Sequence, residues 1–331
     1  LVRCESVTPH EGGALTLFAA RASVLEAKGV FAVVSRETAL VANNLLLAVS
    51  AFVVFTGTIW PLVAELLWGR TLSVGAPFFN AAFTPFMVIL ALILPVGAML
   101  PWKRAELRRA LRPLRGVAVL AVAMGLLAYA VQTGQSALGP IGAALGAWVV
   151  MGALVDLAQR LGRGNLADRV ARLARLPRAD WGKVTAHSGF GITVFAVAAM
   201  TAWVTEDIRV VKIGEGFRLG RYEVTLTDVN AGKGPNYTTT IADMRITLDG
   251  KEIAVMHPEK RIYPVAGMPT TEAAIHQGMF RDLYLVIGDA QDGGGYAVRS
   301  YIKPFANWIW GGALLMALGG VLSLSDRRFR A

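Results

Sequence analysis

The sequence predicts a polytopic α-helical membrane protein of about six spans, with a small all-β outer, periplasmic domain between the last two. Three observations predict it. Of the 331 residues, 54% are hydrophobic and 17% charged, with a mean hydropathy of +0.49, well above the balance of soluble domains. Six apolar runs of roughly 18 or more residues carry little interior charge, the length that crosses a bilayer core. One long polar segment separates the fifth run from the sixth.

Residues 1–38 are expected to be an N-terminal fragment. "GGALTLFAA" reads as the last turns of a truncated span, and a cytoplasmic segment follows it. Residues 39–203 hold a five-span membrane domain with runs at 39–60, 82–100, 116–132, 138–158 and 184–203; the third is short, and the fourth carries Asp156 near its end. Residues 204–303 form the outer domain, and 304–331 hold the last span, 305–324, with a basic tail.

Loop charge orients these spans. Lys103, Arg104, Arg108, Arg109, Arg112 and Arg115 lie in one loop, and Arg160, Arg163, Arg169, Arg172, Arg175, Arg178 and Lys183 in another. The tail adds Arg327, Arg328 and Arg330, whereas 61–81 has one arginine, Arg70, and 133–137 has no charge. The cation-rich loops fall on one side, so the positive-inside rule predicts both ends cytoplasmic and 204–303 on the outer side, the periplasm or its equivalent. The net charge of +10 is thereby topological, and no aromatic-interleaved basic surface accompanies it, so no nucleic-acid partner is expected. Membrane lipid is.

The outer segment reads as β. "YEVTLTDV" alternates Tyr222, Val224 and Leu226 with Glu223, Thr225 and Thr227, and Asp249-Gly250 sits between two strand-like runs, a hairpin signal. "DLYLVIG" and "YAVRSYI" flank glycines 293–295 as a second hairpin. Six to eight short antiparallel strands are expected, in a sandwich or barrel. The glycines at 214–216 and 293–295 precede no helix and read as turn residues rather than phosphate loops.

Candidate chemistry is sparse. Cys4 is the single cysteine, which excludes an internal disulfide and a Cys-pair metal site. No two of the four histidines have zinc-hydrolase spacing, and no Gly-x-Ser-x-Gly, Walker or dinucleotide motif occurs. His257, before Pro258, reads as a solvated loop residue, His276 as part of a short helical turn behind Thr271, and His10 carries no weight. His187 differs from these. It stands four residues past Lys183 in an apolar run beside Ala186, Ser188, Gly189 and Gly191, where a polar ring without a partner is costly. Gly189 and Gly191 allow close approach of a helix or a flat ring. The residues alone leave two readings open: a hydrogen bond to an adjacent helix, or ligation of a metal or haem iron.

"SRETALVANNLLLAVSAFVVFTGTIWPLV", "SVGAPFFNAAFTPFMVILALILPVGAMLPWKR", "TAHSGFGITVFAVAAMTAW", "EKRIYPVAGMPTTEAAIHQGMFRDLYLVIGD" and "AVRSYIKPFANWIWGGALLMALGGVLSLSDRR" resemble, in order, the C-terminal half of the CcmF/NrfE-type cytochrome c-type biogenesis proteins. The resemblance covers about residues 12–330. It implies part of a haem lyase, which takes haem from a covalent haem chaperone and joins its vinyl groups to the thiols of a Cys-x-x-Cys-His motif in apocytochrome c. It also implies a membrane haem b with His187 as one axial ligand and as its metal-binding residue, Gly189 and Gly191 making room beside it.

The resemblance assigns the second axial histidine, the tryptophan-rich haem platform and an outer-loop histidine to the N-terminal half of the same family protein, so that half becomes an expected partner. A haem chaperone, apocytochrome c and a thiol-reducing maturation partner are the others. No tryptophan-rich loop occurs here, and His10 does not match the later outer-loop histidine, so the enzyme is expected to be incomplete on this chain alone and no catalytic side chain is assigned. A multi-pass transporter and a cofactor-free assembly scaffold are the alternatives.

Overall fold

The computed structural model describes residues 16, 32–134, 136–265 and 267–326. His10, Cys4, the expected truncated span and the tail from 327 onward lie outside the described residues. Among the described residues six helices are long and apolar enough to cross a membrane, and a β-sandwich sits between the last two. Helix α1 spans Arg36–Trp68 and α2 Ala76–Met99; the short α3, Leu107–Leu111, leads through a 3-10 turn into α4, Arg115–Val131. Next come α5, Leu138–Leu161, α6, Leu166–Ala174, α7, Arg178–Trp203, and, past the sandwich, α8, Ala306–Leu324.

Several helices outrun the apolar runs that announce them. The first begins at the Ser35 cap, whose hydroxyl accepts from Thr38 N at 3.2 Å, and it continues through Pro61 until Gly69 ends it at φ 60°. The 61–81 loop therefore contracts to 69–75. Arg178 rather than residue 184 starts α7, which puts Lys183 inside the helix one turn before His187. The cation-rich 159–183 segment contains α6, capped by Asn165, whose side chain accepts from Asp168 N at 2.8 Å.

At the centre of the helical part, α7 packs against α5 on one side and α8 on the other. Glycine sets both contacts. A β-carbon on Gly182 would lie 2.5 Å from Gly319 O, and one on Gly189 would lie 2.6 Å from Gly312 O. On the opposite side, one on Gly191 would lie 2.9 Å from Gly146 O. Only side chains of hydrogen let these backbones meet, the packing that membrane helices favour. Ala91, Leu145 and Val149 form the buried contact between α2 and α5, with Phe190 and Val194 of α7 against them.

Ten strands make the sandwich, more than the six to eight expected, because short pieces at β5 to β8 pair separately. They are β1 Thr205–Val211, β2 Gly216–Leu219, β3 Tyr222–Lys233, β4 Thr238–Leu248 and β5 Lys251–Met256. β6 Glu259–Tyr263, β7 Met268–Glu272, β8 Ala274–His276, β9 Arg281–Ala290 and β10 Tyr296–Pro304 complete them. One sheet runs β1-β10-β9-β8 and the other β2-β3-β4-β6-β7, with β5 beside β4. Tyr222, Val224 and Leu226 point into the core with Met244, Ile246, Leu285, Ile287 and Val298. Asp249 at φ 50° and Gly250 at φ 76° turn β4 into β5, as a two-residue primed turn requires.

The sandwich is fastened to the helices at the start of α8. Phe305 adopts φ 56°, a strained value for a bulky residue, and is held there by its N–H bond to Phe280 O at 2.8 Å and by the rings of Phe195, Phe280 and Trp308. Trp308 Nε1 donates to Met279 O at 2.8 Å, and Asn307 Nδ2 donates to Asp282 Oδ1 at 3.0 Å.

Candidate functional site

The site lies where α7 turns toward α1 and α2, beside its contact with α5. At 100° per residue, Gly189 lies about 200° around the helix from His187 and Gly191 about 40°. The two glycines therefore meet different helices instead of sharing one face, and helix backbone occupies both approaches. His187 and Lys183 turn toward α1 and α2, where Arg36, Asn43, Leu94 and Gly97 join them around a cavity of about 250 Å³. His187 is half-buried, and no hydrogen bond or ion pair among the described residues ties its ring to another side chain or to backbone. The adjacent-helix hydrogen bond left open by the sequence is absent from this arrangement.

The cavity rim is organised by charge. Asp156, 5% exposed on α5, receives the Lys183 ammonium and, at 3.3 Å, Arg160 Nε; Arg160 Nη1 reaches Asp180 Oδ1 at 2.5 Å. This network ties the first turns of α7 to the last turns of α5, and the Lys183 side chain is held one turn from the imidazole. Across the cavity, Lys103 N donates to both Glu37 carboxylate oxygens at 2.9 Å, and the Arg36 guanidinium stacks on Trp102 at 5.0 Å. The start of α1 is thus anchored to the loop after α2.

The donor set suits a haem. The His187 imidazole without a protein partner lines a space that Leu40, Ile93 and Leu94 share with Arg36, Asn43 and Lys183; the space is too small to enclose a porphyrin, so this chain would hold one edge of the group, with the Arg36 guanidinium available as counter-charge. Among the described residues no cluster of three or more His, Cys, Asp or Glu could hold a metal ion.

The remaining histidines are elsewhere. His257 lies between β5 and β6, where its Nδ1 and Asp243 Oδ1 are 2.7 Å apart. His276 is not on a helical turn: it is the last residue of β8, paired in register with Leu283, because the β9 edge captures the segment that follows Thr271. The sequence reading missed Gly182, Gly312 and Gly319. Their signal is there, since Gly182 and Gly189 on one helix and Gly312 and Gly319 on the other are each seven residues apart.

The profile of a family described as the CcmF C-terminal beta-sandwich matches residues 202–304. The cytochrome c-type biogenesis protein ccl1 of Rhodobacter capsulatus is 58% identical over 320 residues, which are 97% of this chain and 48% of that protein. CcmF of Escherichia coli is 39% identical over 322 residues, 96% of this chain and 48% of that protein. A solved structure named cytochrome c heme lyase CcmF aligns at a TM-score of 0.66 and 24% identity, over 96% of this chain and 48% of that one, a likeness of fold. These matches place the chain in the CcmF/NrfE-type family of cytochrome c biogenesis proteins, and it spans about half the length of the curated relatives it matches.

Proposed function

We propose that this chain is part of a cytochrome c haem lyase and binds a haem b in the membrane through His187. The observation that carries the reading is the unpartnered His187 imidazole on a cavity flanked by Arg36 and Lys183. The heme lyase name of the structurally similar protein supports the wider role. Bound haem b would supply a redox-active iron. The chain's own residues would give it the His187 imidazole, the Arg36 guanidinium as counter-charge and an apolar flank at Leu40, Ile93 and Leu94. Gly189 and Gly191 act indirectly, by letting α8 and α5 close on α7 and so fixing the direction of the ring.

A second protein ligand would come from the N-terminal half of the same family protein, as the family resemblance implies. Covalent attachment of haem to the Cys-x-x-Cys-His thiols of apocytochrome c, with a haem chaperone and a thiol-reducing partner, is assigned to the united halves. Loop charge supports an orientation in the bacterial inner membrane with both ends cytoplasmic and 204–303 periplasmic. The test is a reduced-minus-oxidised absorption spectrum of this chain purified with the N-terminal half. A low-spin b-type spectrum is expected, and a spectrum without haem absorbance would overturn the reading.

A further inference from the structure

A second cavity, of about 900 Å³, opens at the end of the helices away from the β-sandwich. Arg104, Arg109 and Arg112 line it from the segment joining α2 to α4, and Arg163 from the turn after α5. Glu106 is the single carboxylate on its wall. None of the four guanidiniums makes an ion pair among the described residues, although Arg160, one turn from Arg163, is fully engaged by Asp156 and Asp180. The arginines also come from two loops that are far apart in sequence. Four cations facing one shared space repel one another unless an anion joins them.

The chemistry of that anion follows from the site. Guanidinium forks match phosphate oxygens in pairs, and the cavity lies where helix ends leave the bilayer core, at headgroup depth. Pro101 and Pro113 contribute apolar wall beside the arginines, which suits a glycerol backbone below a phosphate. Basic pockets between transmembrane helices are a recurrent way of holding anionic lipids. We propose that Arg104, Arg109, Arg112 and Arg163 form a binding site for the phosphate headgroup of an anionic phospholipid. The site differs from the general excess of cations on this side, because Arg108, Arg169 and Arg175 belong to the same loops and do not line it. Its failure would leave the haem reading untouched, since the two cavities share no residue.

The test is native mass spectrometry of the full chain titrated with phosphatidylglycerol, cardiolipin or phosphatidylcholine. Both anionic lipids are expected to be retained and phosphatidylcholine is not. Replacing Arg104, Arg109, Arg112 and Arg163 together by Gln should weaken anionic-lipid retention at least tenfold, given roughly fivefold for each basic residue near an anionic surface. The equal-charge control, Arg108→Gln with Arg115→Gln, Arg169→Gln and Arg175→Gln, none of which lines the cavity, should change it less than about twofold. Glu106→Gln, which removes charge without removing an arginine, should strengthen retention, and it keeps the test decisive if the fourfold variant fails to fold. Equal losses in the two arginine sets, or unchanged retention in Glu106→Gln, would overturn the site. Displacement of the lipid by excess glycerol 3-phosphate would overturn it in favour of a soluble phosphate ester.

Discussion

The ammonium of Lys183 rests on the carboxylate of Asp156, one helical turn from His187 and across the α5–α7 contact. Asp156 is 5% exposed, so its charge depends on Lys183 and Arg160. Removing one partner of such a pair strands the other charge in a poor solvent for it. Asp156→Asn should therefore lower stability in detergent unfolding by about 3 kcal/mol. Asp156→Asn with Lys183→Met should recover most of that loss. A double variant as unstable as the single one would show that Lys183 is not what the carboxylate neutralises.

The glycine seam between α7 and α8 makes a sharper packing prediction. A β-carbon on Gly189 would enter the space of Gly312 O at 2.6 Å, and one on Gly319 that of Gly182 O at 2.5 Å, both against backbone that cannot rotate away. Gly189→Ala and Gly319→Ala should each cost about 1–3 kcal/mol. Gly311→Ala, with no atom within 4 Å of the added carbon, should be neutral or slightly stabilising in the same unfolding assay. Equal effects at the three positions would contradict the seam.

What was legible in the sequence follows from how local each signal is. Span existence, the alternation of Tyr222, Val224 and Leu226, and the Asp249-Gly250 turn each depend on neighbours a few residues away, and all are present. His276 was misread because a three-residue strand has too little period to announce itself; only the β9 edge makes it a strand. The Asn165 cap with Asp168 three residues on was a local helix signal that the run of arginines concealed. Asp156 was visible as a charge in a span, but its pairing with Lys183 depends on how α5 crosses α7. The cavity before His187 depends likewise on where α1 and α2 lie. No local pattern encodes either.

In the sandwich, acid should weaken a surface clamp. Arg209 binds Asp207 through two bonds of 2.5 Å, and this holds the Asp207 carboxyl below its ordinary range; hydrogen bonding from Arg261 does the same for Glu259. A carboxyl depressed in the folded state stabilises above its unfolded value, and that contribution is lost as pH falls through the folded one. Amide exchange in β1 and β6 of the full chain should therefore quicken as pH falls below about 4, after correction for the intrinsic rate. Asp207→Asn should flatten the trend in β1 alone. Solvent screening keeps the effect small, and a β1 trend unchanged by the substitution would sink it.

Orientation can be read independently of haem. Alkaline phosphatase inserted in the turn at 234–237, between β3 and β4, should be active, and the same enzyme inserted at 103–106, before α3, should be inactive. The opposite pattern would reverse the topology inferred from the loop cations.

His187 carries the most specific expectation. If the ring only filled space beside Arg36 and Lys183, replacing it by glycine would remove a side chain that has no hydrogen bond to lose, and contacts of that kind between membrane helices are worth on the order of 1 kcal/mol or less. If it ligates iron, His187→Gly removes that ligand while leaving the α5 and α8 contacts of α7 intact, since those run through backbone at Gly191 one turn further along and at Gly189 on the opposite face. Haem b content should then fall while membrane insertion persists, because the span becomes no more polar. Cytochrome c output should fall with the haem. Added imidazole, small enough for the space the ring leaves, should restore part of both. A His187→Gly protein with full b-type absorbance and normal cytochrome c maturation would make the histidine a packing residue, and the cofactor would have to be sought on another face.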